Sequence, residues 1–133
     1  LEHSFFKIGN DMYIWGIYLW NEDSPAYNVV NIDFFDLLKT DISYFSELGD
    51  VYVCGDLNSR VGIKPDFIRN DDVKIFFDYQ DYIPDVYNRL AIFVKKCNSF
   101  GIRILDVFKY SCLTISNGRL FNDQGMFTNN WKL

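Results

Sequence analysis

The stretch Val51-Tyr52-Val53-Cys54-Gly55-Asp56-Leu57-Asn58-Ser59-Arg60 decides how the rest of the chain is organised. Its first residues are apolar and favour β-structure, and turn-forming residues follow, a pattern that predicts a buried strand. Gly55 allows the backbone to turn sharply where the strand stops. Asp56 and Asn58 are two positions apart, so an extended chain would point both side chains to one side. A carboxylate and a carboxamide at the carboxyl end of a core strand commonly form a polar site on a rigid support.

An ordinary β-turn is the alternative, because Gly, Asp, Asn and Ser are the usual turn residues. The four residues alone do not decide between the two interpretations. A longer match favours a functional site: Gly55-Asp56-Leu57-Asn58-Ser59-Arg60-Val61-Gly62 resembles the Gly-Asp-Phe-Asn-Ala-Arg-x-Gly segment of one family. That family is the endonuclease/exonuclease/phosphatase family, in its LINE-type (non-LTR) retrotransposon branch.

Composition indicates one globular domain. The chain has 133 residues, of which 49% are hydrophobic and 19% aromatic, so it can bury a core and is not disordered. Its formal net charge of −5 gives no general attraction to nucleic acid. DNA binding would therefore depend on local basic patches.

The three cysteines, Cys54, Cys97 and Cys112, lack CxxC spacing. We interpret them as buried, reduced side chains of an intracellular protein, nuclear or cytoplasmic, rather than as disulfides or a zinc site. The sequence has no signal peptide and no run long enough to cross a membrane. It begins with Leu, and we expect it to be a fragment of a longer protein.

The first half predicts a strand, a helix and a second strand. Residues 12–19 are aromatic and β-branched on both faces, which is typical of a core strand covered on both sides. Residues 29–48 show helical periodicity, with Asn28 or Asn31 as the predicted cap and Gly49 as the predicted stop. This order implies a crossover helix that covers one sheet face, and hence a mixed α/β fold.

The second half is less regular. Residues 60–88 are rich in Asp, Pro and aromatic residues but lack the Gly and the alternation of an EF-hand, so we predict a solvated loop rather than a calcium site. A helix should begin at Asn98 or Ser99. Its predicted apolar positions are Ile102, Leu105, Phe108 and Cys112. Residues 113–116 are predicted to form a short strand, followed by a turn at 117–118.

The family resemblance continues through residues 12–128. Asn98, Gly101 and Ile104-Leu105-Asp106 resemble the family's Asn-x-x-Gly-x-x-Leu-Leu-Asp segment. Asn117-Gly118-Arg119, followed by Asp123, Gly125 and Phe127-Thr128, resembles its Asn-Gly-Arg…Asp-x-x-Gly-x-Phe-Thr block. Tyr18 matches the Tyr of a Tyr-x-Pro-like motif at the end of a family strand, although Trp20 stands where Pro is usual. Arg89 fits the family's Arg-x-Ser-x-Asp pattern, but Ala91 and Phe93 replace its Ser and Asp.

The resemblance implies a DNase I-like fold of four α/β/β/α layers. Residues 1–133 would form a single partial domain, a partial two-layer β-sandwich flanked by helices, without its N- and C-terminal parts. The implied activity is Mg²⁺-dependent hydrolysis of a DNA phosphodiester. Asp56 would be the general acid or base, Asn58 would orient the phosphate or the attacking water, and Tyr18 would donate to a non-bridging oxygen. Arg60, Arg119 and Thr128 would contact the substrate.

The catalytic set implied by the family is incomplete. The family takes an Asn and a metal-binding Glu from earlier strands, and an Asp and a His from a later Ser-Asp-His motif. Glu2 is the one carboxylate before Asp11, and its surroundings do not match the Glu motif. We therefore assign no metal ligand, and expect Mg²⁺ only in a complete domain, linked in its parent protein to a reverse transcriptase.

Three functional alternatives follow. The chain is a weakly active or inactive nuclease fragment, which we favour because of the incomplete set. It is an active phosphodiesterase whose further ligands are unrecognised. Or it is a non-catalytic nucleic-acid-binding or interaction module that keeps the nuclease fold.

Overall fold

The computed structural model describes residues 2–29, 32–68 and 96–117. These residues form a mixed α/β structure with a three-stranded sheet and two helices. The elements in chain order are β1 (Glu2–Ile8), β2 (Met12–Tyr18), α1 (Phe34–Ser46), β3 (Asp50–Asp56) and α2 (Ser99–Tyr110). A short 3₁₀ helix, Pro25–Asn28, lies between β2 and α1.

Strand β2 is the middle strand of the sheet. It pairs antiparallel with β1 and parallel with β3. The predicted strands and the crossover helix between them are confirmed. Strand β1 was not predicted. The β2–β3 register runs from Met12 opposite Asp50 to Tyr18 opposite Asp56, so the two parallel strands end side by side.

One face of the sheet packs against both helices. The core contains Trp15 and Leu19 of the β2 segment, Leu38 of α1 and Ile104 of α2, each at most 1% exposed. Burying one such side chain contributes on the order of 2 kcal/mol. Phe5 of β1 stacks on Trp15 with ring centroids 4.4 Å apart. This shared core fixes the sheet relative to α1 and α2.

The opposite face of the sheet is exposed within the described part of the chain. Phe6, Tyr18 and Tyr52 are 58%, 47% and 52% exposed. The prediction that β2 is covered on both faces therefore does not hold among these residues. They show one sheet and one layer of helices.

Helix α1 begins later than predicted. Its N-cap is Asp33, whose Oδ1 accepts hydrogen bonds from the backbone N–H groups of Phe35 at 3.0 Å and Asp36 at 3.4 Å. The predicted start at 29, capped by Asn28 or Asn31, is wrong because the 3₁₀ helix occupies 25–28 and α1 begins only after Asp33.

Gly49 is required because a side chain would not fit at this position, and it does not end helix α1. Helix α1 ends at Ser46, with Glu47 as its cap. A Cβ on Gly49 would lie 2.1 Å from the backbone oxygen of Asp11. Any larger residue would separate the start of β3 from the turn before β2.

Helix α2 begins after its N-cap Asn98, which is one of the two predicted caps. Its buried face contains Ile104, Leu105, Val107 and Phe108. Ile102, a predicted apolar position, is 48% exposed. The predicted apolar face is therefore confirmed at Leu105 and Phe108 and wrong at Ile102, and Cys112 lies beyond the end of α2 and is exposed.

One further prediction is wrong, and another is wrong at a single residue. Residues 113–116 form no strand; instead the N–H of Ile115 donates to the carboxylate of Asp66 at 2.7 Å. Asp66 is 2% exposed, although the segment beginning at 60 was predicted to be solvated. Residues 69–88 lie outside the described residues.

The cysteines are free thiols but not buried as predicted. Cys54 and Cys112 are exposed and Cys97 is half-buried. Cys54 lies on the uncovered face of the sheet, where the strand alternation puts every second residue outside. Within residues 2–29, 32–68 and 96–117, no helix combines the length and apolar character that a membrane crossing needs.

Candidate functional site at the carboxyl ends of β2 and β3

Tyr18 and Asp56 are direct neighbours across the parallel pair. Each is the last residue of its strand, and they are register partners. Both side chains are exposed, and register partners point to the same face of a sheet. The structure therefore brings together two of the three predicted catalytic residues at one edge of the sheet.

Asp56 and Asn58 form a tight turn. The Oδ1 atom of Asp56 accepts a hydrogen bond from the backbone N–H of Asn58 at 2.9 Å. Asn58 has φ of 46°, in the left-handed region that Asn adopts more readily than most residues. The local geometry is thus a turn, as the alternative interpretation expected. The assumption of an extended chain from Asp56 to Asn58 is wrong, because β3 ends at Asp56.

Asn58 joins this turn to the segment after β2. Its Nδ2 donates to the backbone oxygen of Leu19 at 2.7 Å. The backbone N–H of Leu19 donates to the oxygen of Asp56 at 2.8 Å. These two bonds continue the parallel pairing one residue past the strands, so Tyr18, Asp56 and Asn58 belong to one connected unit.

The start of α2 contacts the same loop. The Oδ1 of Asn98 accepts from the backbone N–H groups of Arg60 and Gly101, both at 2.8 Å. The Nδ2 of Asn98 donates to the backbone oxygen of Asn58 at 3.1 Å. The backbone N–H of Asn98 donates to the backbone oxygen of Arg60 at 3.0 Å. The sequence marks Asn98 as a helix cap and as part of the family-like Asn-x-x-Gly segment, and neither signal carries information about a loop some forty positions away.

The loop after β2 is also tied to α2. The Oγ of Ser99 donates to Oε2 of Glu22 at 2.7 Å. Within that loop, the hydroxyl of Tyr27 donates to the backbone oxygen of Trp20 at 2.8 Å, and burial raises the pKa of this tyrosine. These contacts give the loop a defined path with Trp20 at the position where the family has Pro.

Glu2 of β1 lies in the same row of register partners across the sheet as Tyr18 and Asp56. Glu2 is the register partner of Tyr18, so the row reads Glu2, Tyr18, Asp56 across three strands. Sequence context gave Glu2 no role. Its place in the row depends on the antiparallel pairing of β1, a strand that the sequence pattern does not predict.

The described residues do not form a magnesium site by themselves. Mg²⁺ requires near-octahedral oxygen coordination from several groups. In the described ranges, no group of three His, Cys, Asp or Glu side chains could hold a metal ion. Asp56 offers one exposed carboxylate, which is insufficient alone to hold Mg²⁺.

The predicted substrate-binding residues are only partly described. Arg60 is exposed two positions after Asn58, and its backbone is held by Asn98. Arg119 and Thr128 lie outside the described residues.

Comparison with known proteins gives no match. No family model, no curated protein and no solved structure is significantly similar to the chain. The family resemblance thus depends on the sequence motifs quoted above.

Proposed function

We propose that the chain is part of a metal-dependent phosphodiesterase, the DNA endonuclease of a non-LTR retrotransposon, within the endonuclease/exonuclease/phosphatase family. The observation that supports this proposal is the pairing of Tyr18 with Asp56 at the ends of two parallel strands, with Asn58 in the turn that follows. We propose the four-layer DNase I-like arrangement for the complete domain. DNA is the proposed partner, and a reverse transcriptase the proposed neighbour in the parent protein.

Each residue of the site offers a definite chemical group. The exposed carboxylate of Asp56 can take or give a proton at the attacking or leaving oxygen. The exposed hydroxyl of Tyr18 can donate to a non-bridging phosphate oxygen. The carboxamide of Asn58 has two N–H donors and uses one on Leu19, so the second can orient a phosphate oxygen. Arg60 adds a positive charge nearby in the sequence for phosphate contact.

Mg²⁺ is the proposed cofactor of the complete domain, where it would stabilise charge on the phosphate. This chain would contribute Asp56 as the general acid or base, and other parts of the complete domain would supply the metal ligands. Because one carboxylate holds Mg²⁺ poorly, the chain alone should cleave DNA slowly or not at all. Its free thiols suit the reducing environment of the nucleus or cytoplasm, which we propose as its location.

Nicking of supercoiled plasmid in Mg²⁺ tests this proposal. The comparison uses wild type, Asp56→Asn and Asp50→Asn, since Asp50 and Asp56 are both exposed and lie at opposite ends of β3. Both variants change the net charge equally. We expect at most slow nicking, lost in Asp56→Asn and kept in Asp50→Asn. Nicking that survives Asp56→Asn would contradict the proposal, and fast nicking that requires Asp56 would show that the set is more complete than we propose.

A non-catalytic nucleic-acid-binding or interaction module is the second candidate. This candidate is favoured because the site residues already make hydrogen bonds within the fold. The Asn58 carboxamide donates to the backbone oxygen of Leu19, and the Asp56 carboxylate accepts from the backbone N–H of Asn58. This candidate predicts salt-sensitive DNA binding that persists in Asp56→Asn and Asn58→Ala, without nicking in any variant.

A further inference from the structure

We propose that Asn98 and Gly101 are positioning residues, which hold the loop at residues 57–60 in the conformation that the site requires. This proposal relies on the proposed function for what the loop does. The contacts of Asn98 and Gly101 with the loop are observed independently of that function.

The hydrogen bonds of Asn98 exceed what a helix cap needs. A cap side chain accepts one bond from the second or third N–H of its helix, and Asn98 makes this bond with Gly101. Three further bonds, two from its carboxamide and one from its backbone N–H, go to Asn58 and Arg60. A carboxamide is suited to this because it carries an acceptor and two donors on one planar group. Ser, Thr or Asp would cap the helix equally well, but Asp has no donor for Asn58, and Ser and Thr carry a single shorter hydroxyl in place of the separate acceptor and donor.

Gly101 is explained by the same contact. It lies in the first turn of α2, where glycine is among the poorest helix formers. A Cβ at this position would lie 1.9 Å from the backbone oxygen of Arg60 and 2.5 Å from its carbonyl carbon. Glycine therefore permits the backbone of α2 to touch the backbone of the loop. Asn98 and Gly101, at Asn-x-x-Gly spacing, thus make the two parts of one contact between α2 and the loop at residues 57–60, which we call the clamp.

The clamp connects the loop to the core. Helix α2 is anchored through Ile104, Val107 and Phe108, which are at most 8% exposed. The loop leaves β3 at Asp56 and contacts this rigid helix at Asn58 and Arg60. Its conformation is thus fixed at both ends, which holds the Asp56–Asn58 turn in place. Supporting contacts of this kind determine whether polar groups keep a productive geometry.

Two variants separate clamping from helix capping. Asn98→Ser keeps a cap but is too short to bridge to the loop. Gly101→Ala keeps Asn98 and improves the intrinsic helix propensity, while its Cβ pushes against Arg60. Ser99→Ala is the control in the same helical turn, because it removes only the bond to Glu22.

Amide hydrogen exchange and affinity for a short duplex DNA are the measurements. In both variants we expect exchange at the Arg60 amide to become about tenfold faster, the effect of losing one hydrogen bond of ordinary strength, with exchange within 104–108 unchanged. DNA affinity should fall in both variants and stay unchanged in the control. A role in capping alone would leave the affinity of Asn98→Ser at the wild-type value.

Each outcome decides one claim. Unchanged exchange at Arg60 in both variants would overturn the clamp. If Asn98→Ser accelerates exchange throughout α2, Gly101→Ala decides, because it keeps the Asn98 side chain that caps the helix. Faster exchange at Arg60 without loss of DNA affinity would overturn the positioning role. If wild-type affinity does not depend on Tyr18 or Asn58, the proposed function fails, and exchange at Arg60 still decides whether the clamp exists.

Discussion

The carboxamide nitrogen of Asn58 donates to the backbone oxygen of Leu19 at 2.7 Å, across 39 positions of the sequence. In return, the N–H of Leu19 donates to the backbone oxygen of Asp56 at 2.8 Å. The turn after β3 and the segment after β2 are therefore joined in both directions. Tyr18 precedes Leu19 directly, so a change in this joint would move all three proposed catalytic residues.

Replacing Asn58 should destabilise the fold through two separable effects. Asn58→Ala removes the bond to Leu19 and puts alanine at a φ of 46°. The lost bond costs about 1 kcal/mol and the left-handed conformation about 1 kcal/mol more, so we expect a loss of about 2 kcal/mol in the free energy of unfolding. Asn58→Gly removes only the bond and should cost about half as much. Urea denaturation measures both, and equal losses would contradict the backbone part of the account.

Gly55 should tolerate no side chain, whereas Gly16 should. Gly55 has φ of 126°, and a Cβ there would lie 2.0 Å from the oxygen of Ile17 in β2. Gly55→Ala should therefore cost about 3 kcal/mol or more and disturb the β2–β3 pairing. Gly16→Ala is the matched control in the same sheet, since its nearest contact is 3.9 Å away. Thermal unfolding should show a large drop for the first variant and almost none for the second; similar drops would contradict the described pairing.

The ion pair between Asp33 and Arg103 should make a small part of the stability depend on pH. Burial raises the pKa of Asp33, but the hydrogen bond and charge of Arg103, together with the N–H groups of Asp36 and Phe35, outweigh it, so the pKa lies below its ordinary 3.8. The unfolded state then binds a proton more readily than the folded state. The stabilisation from this pair is complete above pH 3.8. It is lost as the pH falls through the lower pKa that Asp33 has in the folded state.

A double-mutant cycle with Asp33→Asn and Arg103→Gln measures this pair. Asparagine keeps the helix cap while removing the charge. Because the two side chains are 40% and 45% exposed, the coupling should be about 0.5 kcal/mol at neutral pH and should vanish in acid. A coupling that grows as the pH falls would contradict the assignment.

The fold was predictable where local pattern and topology agree. Strand β2, strand β3 and the helix between them follow from apolar runs, turn residues and helical periodicity. The register that pairs Tyr18 with Asp56 was not predictable, because it depends on how α1 packs over the sheet. Strand β1 escaped notice because its exposed and half-buried residues show no clear apolar alternation.

The errors at element ends have a common cause. Asn28, Asn31 and Asp33 all favour a cap, and only tertiary contacts, including the pair with Arg103, select Asp33. Likewise Gly49 carries a stop signal for α1, while its actual constraint is the backbone of Asp11. A single sequence shows which residues can form a cap or turn, but not which distant backbone lies against them.

The proposed site was partly visible in the sequence. Asp56 and Asn58 stood out by type and spacing, and Tyr18 by its place in the family motif. The link from Asn98 to the loop was hidden, because its two partners precede it by about forty positions. Reading Asn98 and Gly101 as a pair at helical spacing was the one available signal for that contact.

The most direct test of the central claim is an NMR titration of the protein with short duplex DNA. The two parallel strands supply their own control, since Tyr18 and Asp56 lie at one end and Met12 and Asp50 at the other. We expect amide shift changes at Tyr18, Asp56 and residues 57–60, with Met12 and Asp50 unaffected. Changes confined to the Met12–Asp50 end, or no changes with DNA at all, would contradict it.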